Sequence, residues 1–216
     1  MCNRYVSPEE AEIERFWEIG RRNLVPWWQP AIFPRALGPF VRASEREHEL
    51  VIGRWGLIPW FAKSARLNYS TNNARFEGIE GKASYKQSWL HGKRCIIPAW
   101  SFDEPCWESG RNVWWTFRRA DGDPWGLAGL WNAWTDRETG EIIESYSMLT
   151  INADRHPLMS RMHKPDPTLP PDQQDKRSVV AIEVTDVETW LFGSLEAAAE
   201  LMRAPSLEVI DAIPVN

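Results

Sequence analysis

Apolar and polar positions along the chain predict a β-rich domain with helices near its two ends. Short apolar or alternating runs, which are typical of strands, are followed at several points by turn residues. The clusters 121–124 and 136–140 separate three successive runs, which predicts consecutive antiparallel hairpins. The strands are predicted at 50–55, 94–98, 113–118, 127–134, 142–152 and 178–184, and helices at 83–91, 186–192 and 194–202.

The N-terminal segment predicts a helix over about 8–19. Ser7 is a candidate N-cap, Pro8 suits the first helical position, and Glu10 lies three residues after the cap, as in a capping box. The next stretch, with Trp27 and Trp28, is interrupted by prolines and is expected to be loop rather than helix or central strand. These prolines are Pro26, Pro30, Pro34 and Pro39.

Composition narrows the class of protein. The chain has 216 residues, 43% hydrophobic and 25% charged, with 14 tryptophans and a net charge of -5. These values exclude disordered, collagen-like and coiled-coil chains, and no apolar run approaches the roughly 20 residues that cross a bilayer. We therefore expect one α+β domain over 1–216, cytoplasmic and monomeric, with no membrane partner. The net charge does not point to nucleic acid, although a local basic cleft stays open.

The three cysteines, Cys2, Cys95 and Cys106, form no C-x-x-C pair. This spacing argues against a disulfide framework and a zinc ribbon, so reduced thiols and no metal or other cofactor are expected. A metal site built from Cys2, His163 and a carboxylate is a minor alternative. Cys2 has a chemistry of its own. Once Met1 is removed, its free amine and thiol form a 1,2-aminothiol, which condenses with an aldehyde through an imine to a thiazolidine.

Several motifs, in order, resemble one known family. Residues 1–5, Met-Cys-Asn-Arg-Tyr, are similar to the Met-Cys-Gly-Arg-Phe/Tyr opening of the SRAP family of abasic-site-processing proteins. Asn-Ala-Arg-Phe-Glu at 73–77 resembles the Asn-Ala-Arg-x-Glu motif, and Arg-Cys-Ile-Ile-Pro-Ala at 94–99 resembles a family strand. Further similar blocks lie at 55–60, 102–104, 149–153 and 156–163.

The resemblance implies a barrel-like sheet core with peripheral helices and a role in the DNA damage (SOS) response. The expected activity is binding of single-stranded DNA that carries an abasic site, with covalent capture of its aldehyde on Cys2. Asn73 is expected to position the amine, and Glu104 and His163 to move protons. An AP-lyase reaction and peptidase removal of Met1 are also implied.

The resemblance further implies DNA-binding residues. The guanidinium groups of Arg4 and Arg75 suit phosphate contacts, and Trp60 is a candidate for base stacking. Thr150 lies in the matching block at 149–153 and completes the expected DNA-binding set, which places the protein on the nucleoid when it is bound to DNA.

Three departures from the family pattern affect these expectations. Asn3 replaces the usual glycine, and Pro105 replaces the usual tryptophan after Glu104. Residues 164–175 form a longer loop between His163 and the next strand. Glu104 itself is expected in an Asp-Glu-Pro turn, with Asp103 and Glu108 as rival carboxylates and His156 as the rival histidine.

Two other functions fit the same residues. One is a thiol peptidase with Cys2 as nucleophile and His163 as base, which also needs an oxyanion hole and a peptide groove. The other is a non-catalytic nucleic-acid or ligand binder whose tryptophans stack on bases or rings. Replacement of Cys2 by alanine separates a covalent trap from a binder, because a binder keeps its affinity.

Overall fold

The structure is a computed structural model that describes residues 2–19, 28–45 and 47–215. Met1 and the segment 20–27, with Pro26 and Trp27, therefore lie outside the described residues, as do Arg46 and Asn216.

Twelve strands and four α-helices make up the regular structure of the described residues. The helices are α1 (Glu10–Phe16), α2 (Ala83–Leu90), α3 (Val187–Phe192) and α4 (Leu195–Glu200). The first six strands are β1 (Tyr5–Val6), β2 (Ala31–Ile32), β3 (Leu37–Ser44), β4 (Glu47–Trp55), β5 (Asn73–Arg75) and β6 (Arg94–Ala99). The others are β7 (Ser101–Cys106), β8 (Val113–Arg119), β9 (Trp125–Thr135), β10 (Ile142–Asn152), β11 (Arg177–Val179) and β12 (Ile210–Pro214).

Five of these strands close into a barrel. The pairing runs β10-β4-β3-β6-β9, and β9 pairs with β10 again, so each of the five strands has two neighbours. Both β5 and β11 extend this sheet by pairing with the end of β10. The second sheet has the order β12-β8-β7-β1-β2. The expected β-rich α+β class with a barrel-like core is confirmed.

An aromatic cluster links the second sheet to the barrel. Phe102 of β7 stacks on Phe117 of β8 at 5.0 Å between ring centroids, and Phe102 also meets Trp125 of β9 at 5.9 Å. All three rings are fully buried. This packing fixes β7 against the barrel, and β7 in turn pairs with β1, which carries the N-terminal residues.

The predicted start and end of the first helix are wrong. Helix α1 begins at Glu10 with Glu9 as its N-cap, and Glu9 and Glu12 form the capping box. Ser7 is instead fixed by its backbone, since its N–H donates to the Pro30 carbonyl at 2.8 Å. The helix ends at Phe16 rather than 19, because Glu18 has a φ of 51°, which lies in the left-handed region.

The predicted loop around the prolines is also wrong in part. Pro39 lies inside β3, paired with Ile52 of β4. Strand β3 pairs with β6 at Val41 and Arg42, whereas Pro39 is paired with β4 alone. At Pro39 the strand therefore does not need a backbone N–H for a second neighbour. A proline is therefore tolerated in a strand of the barrel.

The run of hairpins is confirmed only at its second turn. Strands β9 and β10 pair across the turn at 136–140, as predicted. Strands β8 and β9 do not pair, because β8 lies between β7 and β12 in the second sheet while β9 belongs to the barrel. The strand predicted at 178–184 is shorter, since β11 ends at Val179 and a 3₁₀ turn begins at Val184.

Candidate functional site

Cys2 lies in the core at the N-terminal end of β1. The pairing of β1 with β7 continues toward the N-terminus, because the Asp103 N–H donates to the Arg4 carbonyl at 3.0 Å. The thiol of Cys2 is fully buried and donates to the same carbonyl at 3.2 Å. The predicted nucleophile is therefore ordered by the sheet and lies next to the residues of β7.

Two consecutive asparagines hold the Cys2 carbonyl. Asn73, the first residue of β5, donates its side-chain N–H to the Cys2 oxygen at 2.7 Å. Asn72 also reaches that oxygen, at 3.5 Å, and donates to the Asn3 side chain at 3.2 Å. The Asn73 carbonyl accepts from the Tyr85 hydroxyl of α2 at 3.1 Å, which fixes the backbone of Asn73. Asn73 was expected to position the amine, whereas Asn72 was not among the expected site residues.

Glu104 and His163 form a buried pair beside Cys2. The distance from His163 Nε2 to Glu104 Oε2 is 2.7 Å, and the two side chains are 15% and 1% exposed. His163 Nδ1 is buried and has no hydrogen-bond partner among the described residues. With Nε2 donating to the carboxylate, Nδ1 presents a lone pair that can take a proton. Glu104 lies inside β7, not in the turn that the sequence predicted, because Pro105 continues the strand.

His163 is held in an uncommon backbone conformation. Its φ is 64°, in the left-handed region that residues other than glycine rarely adopt. Its N–H donates to the Pro105 carbonyl at 2.6 Å, and its carbonyl accepts from Lys176 Nζ at 2.7 Å. Lys176 also donates to the Met162 carbonyl at 2.7 Å. Sequence reasoning missed Lys176, since nothing in the sequence marks it as the residue that anchors this turn.

The surroundings of Cys2 favour the neutral thiol. Burial raises the pKa of the Cys2 thiol well above its usual value, and the charge of Glu104 raises it further. Reactive cysteines that act as thiolates have the opposite shift. In this site the thiol therefore needs a nearby base when it reacts.

Arg4 is close to Cys2 but already has a carboxylate partner. Its guanidinium forms an ion pair with Asp103, whose other oxygen accepts from the Thr116 hydroxyl at 2.8 Å. The Arg4 side chain is still 40% exposed, so part of it faces solvent. Asp103, the rival of Glu104 in the sequence, thus orients Arg4.

Arg75 and Thr150 lie on neighbouring strands. Arg75 pairs with Asp175 at 2.6 Å, at the end of the 164–175 loop, and is 49% exposed. Thr150 stands opposite Arg75 in the β5–β10 pairing but is buried, with its hydroxyl 3.5 Å from the Ala74 carbonyl. Thr150 therefore supports the backbone beneath Arg75.

Trp60 is an exposed aromatic side chain. It is 60% exposed and meets Phe61, 41% exposed, edge to face at 5.8 Å. Trp55 is fully buried and donates its indole N–H to the Asn72 carbonyl at 2.8 Å. Trp60 can therefore stack on a base, whereas the buried Trp55 cannot.

The rival residues have other structural contacts. His156 Nδ1 accepts from the N–H groups of Leu158 and Met159 at 3.2 and 3.0 Å, which caps the 3₁₀ turn at 159–161. Glu108 forms an ion pair with Arg161 at 2.8 Å on the surface. Both residues therefore have structural roles that do not require a part in catalysis.

The described part of the chain lacks two kinds of feature. No group of three or more His, Cys, Asp or Glu side chains there is placed to hold a metal ion. No helix in residues 2–19, 28–45 and 47–215 has the length and apolarity needed to span a membrane.

Known proteins are similar to this chain in both sequence and fold. The profile of the SRAP family, described as SOS response associated peptidase, matches residues 1–216. The abasic site processing protein HMCES of Xenopus tropicalis is 30% identical over 197 residues, and the match covers 81% of this chain and 54% of that protein. The abasic site processing protein YobE of Bacillus subtilis is 32% identical over 168 residues, covering 70% of this chain and 74% of that protein.

The chain thus spans about half the length of the vertebrate relatives that it matches. A crystal structure of a Bordetella bronchiseptica protein superposes with a TM-score of 0.85 at 31% identity, over 100% of both chains. A Bacteroides thetaiotaomicron protein has the same fold, with a TM-score of 0.78 at 22% identity over 100% of this chain and 92% of that one.

Proposed function

Because this chain belongs to the SRAP family, we propose that it processes abasic sites in single-stranded DNA by capturing their aldehyde covalently on Cys2. The names of its relatives, abasic site processing proteins, support the substrate. The observation that carries the proposal is the position of Cys2, with its carbonyl held by Asn73 and its thiol within the field of Glu104.

The reaction joins the aldehyde carbon of the ring-opened sugar to two atoms of Cys2. The α-amine, free after Met1 is removed, attacks the aldehyde, and loss of one water gives an imine. The thiol sulfur then adds to the imine carbon, the nitrogen takes up a proton, and a thiazolidine ring closes. Asn73 holds the backbone of Cys2, so both nucleophiles start from a fixed position.

The Glu104–His163 pair supplies the proton transfers. The thiol has a raised pKa, so its proton must be removed as the sulfur attacks, and the pair offers a base beside it. The same pair can return a proton to the hydroxyl that leaves as water. The imine stage also makes β-elimination of the 3′ phosphate, an AP-lyase reaction, chemically accessible.

The DNA strand is expected to lie across exposed cations and aromatic rings near Cys2. Arg4 and Arg75 are partly exposed and suit phosphate contacts, while Trp60 and Phe61 offer surfaces for base stacking. A thiol peptidase is less well supported, because the raised pKa of the Cys2 thiol opposes formation of the thiolate that such an enzyme uses.

The test is incubation with single-stranded DNA, with and without an abasic site, followed by denaturing electrophoresis. We expect a crosslinked band only with the abasic strand, and none with Cys2→Ala. Cys2→Ala and Cys2→Ser both keep the α-amine without the thiol, so each is expected to give only an imine, which borohydride reduction traps. An undiminished crosslink in Cys2→Ala contradicts the proposal, whereas retained binding without any wild-type crosslink supports a non-catalytic binder.

A further inference from the structure

Two arginines line one small depression beside the candidate site. Arg35 immediately precedes the residues that lead into β3, and its N–H donates to the Trp55 carbonyl at 2.7 Å. Arg54 is the residue before Trp55 in β4. The adjacent backbones therefore bring the two side chains to the same depression, whose wall also includes Tyr69, Ser70, Thr71 and Asn72.

The positive charge in this depression is not balanced by the protein. Among the described residues, neither Arg35 nor Arg54 has a carboxylate within ion-pair distance, whereas Arg4, Arg75 and Arg177 each have one. Arg54 Nε is buried with no hydrogen-bond partner there, and Arg35 reaches only the Leu67 carbonyl, at 3.4 Å.

Electrostatics point in the same direction. Burial and the nearby charge of Arg35 lower the pKa of the Arg54 guanidinium. Two like charges beside an unsatisfied buried donor are costly, and an anion bound between the two guanidinium groups offsets both costs. Ser70 and Thr71 also line the depression, and their hydroxyl groups are donors that suit an anionic oxygen.

The depression shares a wall with the Cys2 site. Asn72 lines the depression, and its side chain donates to the Cys2 carbonyl and to Asn3, while its carbonyl accepts from the indole N–H of Trp55. The depression is small and admits a water-sized group, which is about the size of one phosphate oxygen. A strand held at Cys2 can therefore place a neighbouring phosphate here.

We propose that Arg35 and Arg54 form a phosphate-binding subsite that takes a backbone phosphodiester of the DNA strand next to the nucleotide captured at Cys2. The proposal rests on the proposed function, since it assumes that the strand passes the Cys2 site. The subsite contributes to binding of any strand and takes no part in the covalent chemistry.

The test measures binding of a short oligothymidylate without an abasic site by fluorescence anisotropy at several salt concentrations. Arg35→Ala and Arg54→Gln are each expected to weaken binding about tenfold at low salt and to flatten the logarithmic salt dependence by about 0.7. Arg118→Ala removes one exposed arginine of β8 and serves as the matched control for net charge, with little expected change. At saturating abasic DNA, both subsite variants are expected to crosslink at the wild-type rate.

Different failures have different meanings. The double variant combines Arg35→Ala and Arg54→Gln. If it binds the oligothymidylate as tightly as wild type does, with the same salt slope, the proposed subsite is overturned while the proposed function stands. If wild type does not bind DNA, the proposed function fails. Inorganic phosphate then tests the anion site alone, through a rise in the wild-type melting temperature that the double variant lacks.

Two further outcomes are decisive. A phosphate effect that depends on both arginines, with unchanged DNA binding, shows a site for a small free anion and overturns the assignment to a strand. If Arg54→Gln does not fold, as its melting curve shows, Arg35→Ala decides alone, because Arg35 is exposed and its loss leaves the barrel intact.

Discussion

The Glu104–His163 pair is the part of the molecule where single residues control the proposed chemistry. Its 2.7 Å hydrogen bond is buried, and the Pro105 carbonyl and the Lys176 side chain fix the backbone of the histidine. In the proposed mechanism the pair acts after the DNA has docked, so its loss is expected to affect the rate of capture rather than the affinity.

We expect Glu104→Gln and His163→Ala to slow thiazolidine formation by about 10²- to 10⁴-fold, the usual contribution of general acid–base groups. Affinity for an unreactive abasic analogue stays within a few-fold of wild type, because neither side chain is assigned a DNA contact. Single-turnover crosslinking rates and anisotropy measure the two quantities separately.

His156 is the control for this assignment. Its Nδ1 caps a 3₁₀ turn and its Nε2 bonds the Pro205 carbonyl at 2.9 Å, so His156→Ala is expected to lower stability and keep the rate of capture. Capture that is lost in a folded His156→Ala and kept in His163→Ala means that the proton-transfer role belongs to His156.

At the scale of elements, β5 and the 164–175 loop meet at Arg75. Its ion pair with Asp175 is half exposed, so a phosphate can compete for the guanidinium. We expect Arg75→Ala to weaken binding of intact and abasic single strands alike and to flatten the salt dependence by about 0.7. Asp175→Asn is expected to tighten binding, since it releases Arg75 and removes a negative charge.

Anisotropy titrations at several salt concentrations measure both effects, with Arg118→Ala as the charge-matched control. Unchanged binding of Arg75→Ala to both strands at low salt removes Arg75 from the proposed DNA path.

A buried pair of tyrosines joins the two sheets. The hydroxyls of Tyr5 in β1 and Tyr146 in β10 are 2.5 Å apart, and a Cβ at Gly38 of β3 would collide with both. Tyr146→Phe leaves the Tyr5 hydroxyl buried without this partner and is expected to cost about 1–3 kcal/mol of unfolding free energy.

Urea denaturation measures this cost. The double variant, Tyr5→Phe with Tyr146→Phe, is expected to lose less unfolding free energy than the two single variants lose in sum, because it leaves no unpaired hydroxyl. Exact additivity of the two single changes contradicts the proposed link between the sheets.

At the scale of the whole molecule, buried acids predict a loss of stability in alkali. Burial raises the pKa of the Cys2 and Cys95 thiols and of the Tyr5 and Tyr146 phenols above their usual values. The folded chain thus keeps protons that the unfolded chain releases above about pH 9. These groups therefore make their whole contribution to the unfolding free energy below that pH. The unfolding free energy falls as the pH rises above it.

Urea titrations between about pH 7 and pH 11 measure this dependence, and Tyr146→Phe is expected to make it shallower. An unfolding free energy that stays constant over this range contradicts the burial of these groups.

Local sequence patterns predicted strands such as β6, β9 and β10, because their alternation or apolar runs reflect burial directly. Pairing depends on distant residues, so the placement of β8 and β9 in different sheets was not predictable. Pro39 and Pro105 were expected in a loop and a turn but lie in strands. Whether a proline destabilises a strand depends on which strand lies alongside, and this also depends on distant residues. The resemblance selected Cys2, Asn73, Glu104 and His163, which the fold brings together, but it gave no sign of Asn72 or Lys176.

The measurement that tests the central claim most directly is the mass of the protein, intact and after proteolysis, following incubation with abasic single-stranded DNA. The account predicts a chain that begins at Cys2 and carries the DNA with the loss of one water, located on the N-terminal peptide. Cys106→Ser is expected to form the same adduct, whereas Cys2→Ala and a form with an uncleaved N-terminal extension form none. An adduct on another residue, or normal crosslinking by the extended form, contradicts capture by the amine and thiol of Cys2.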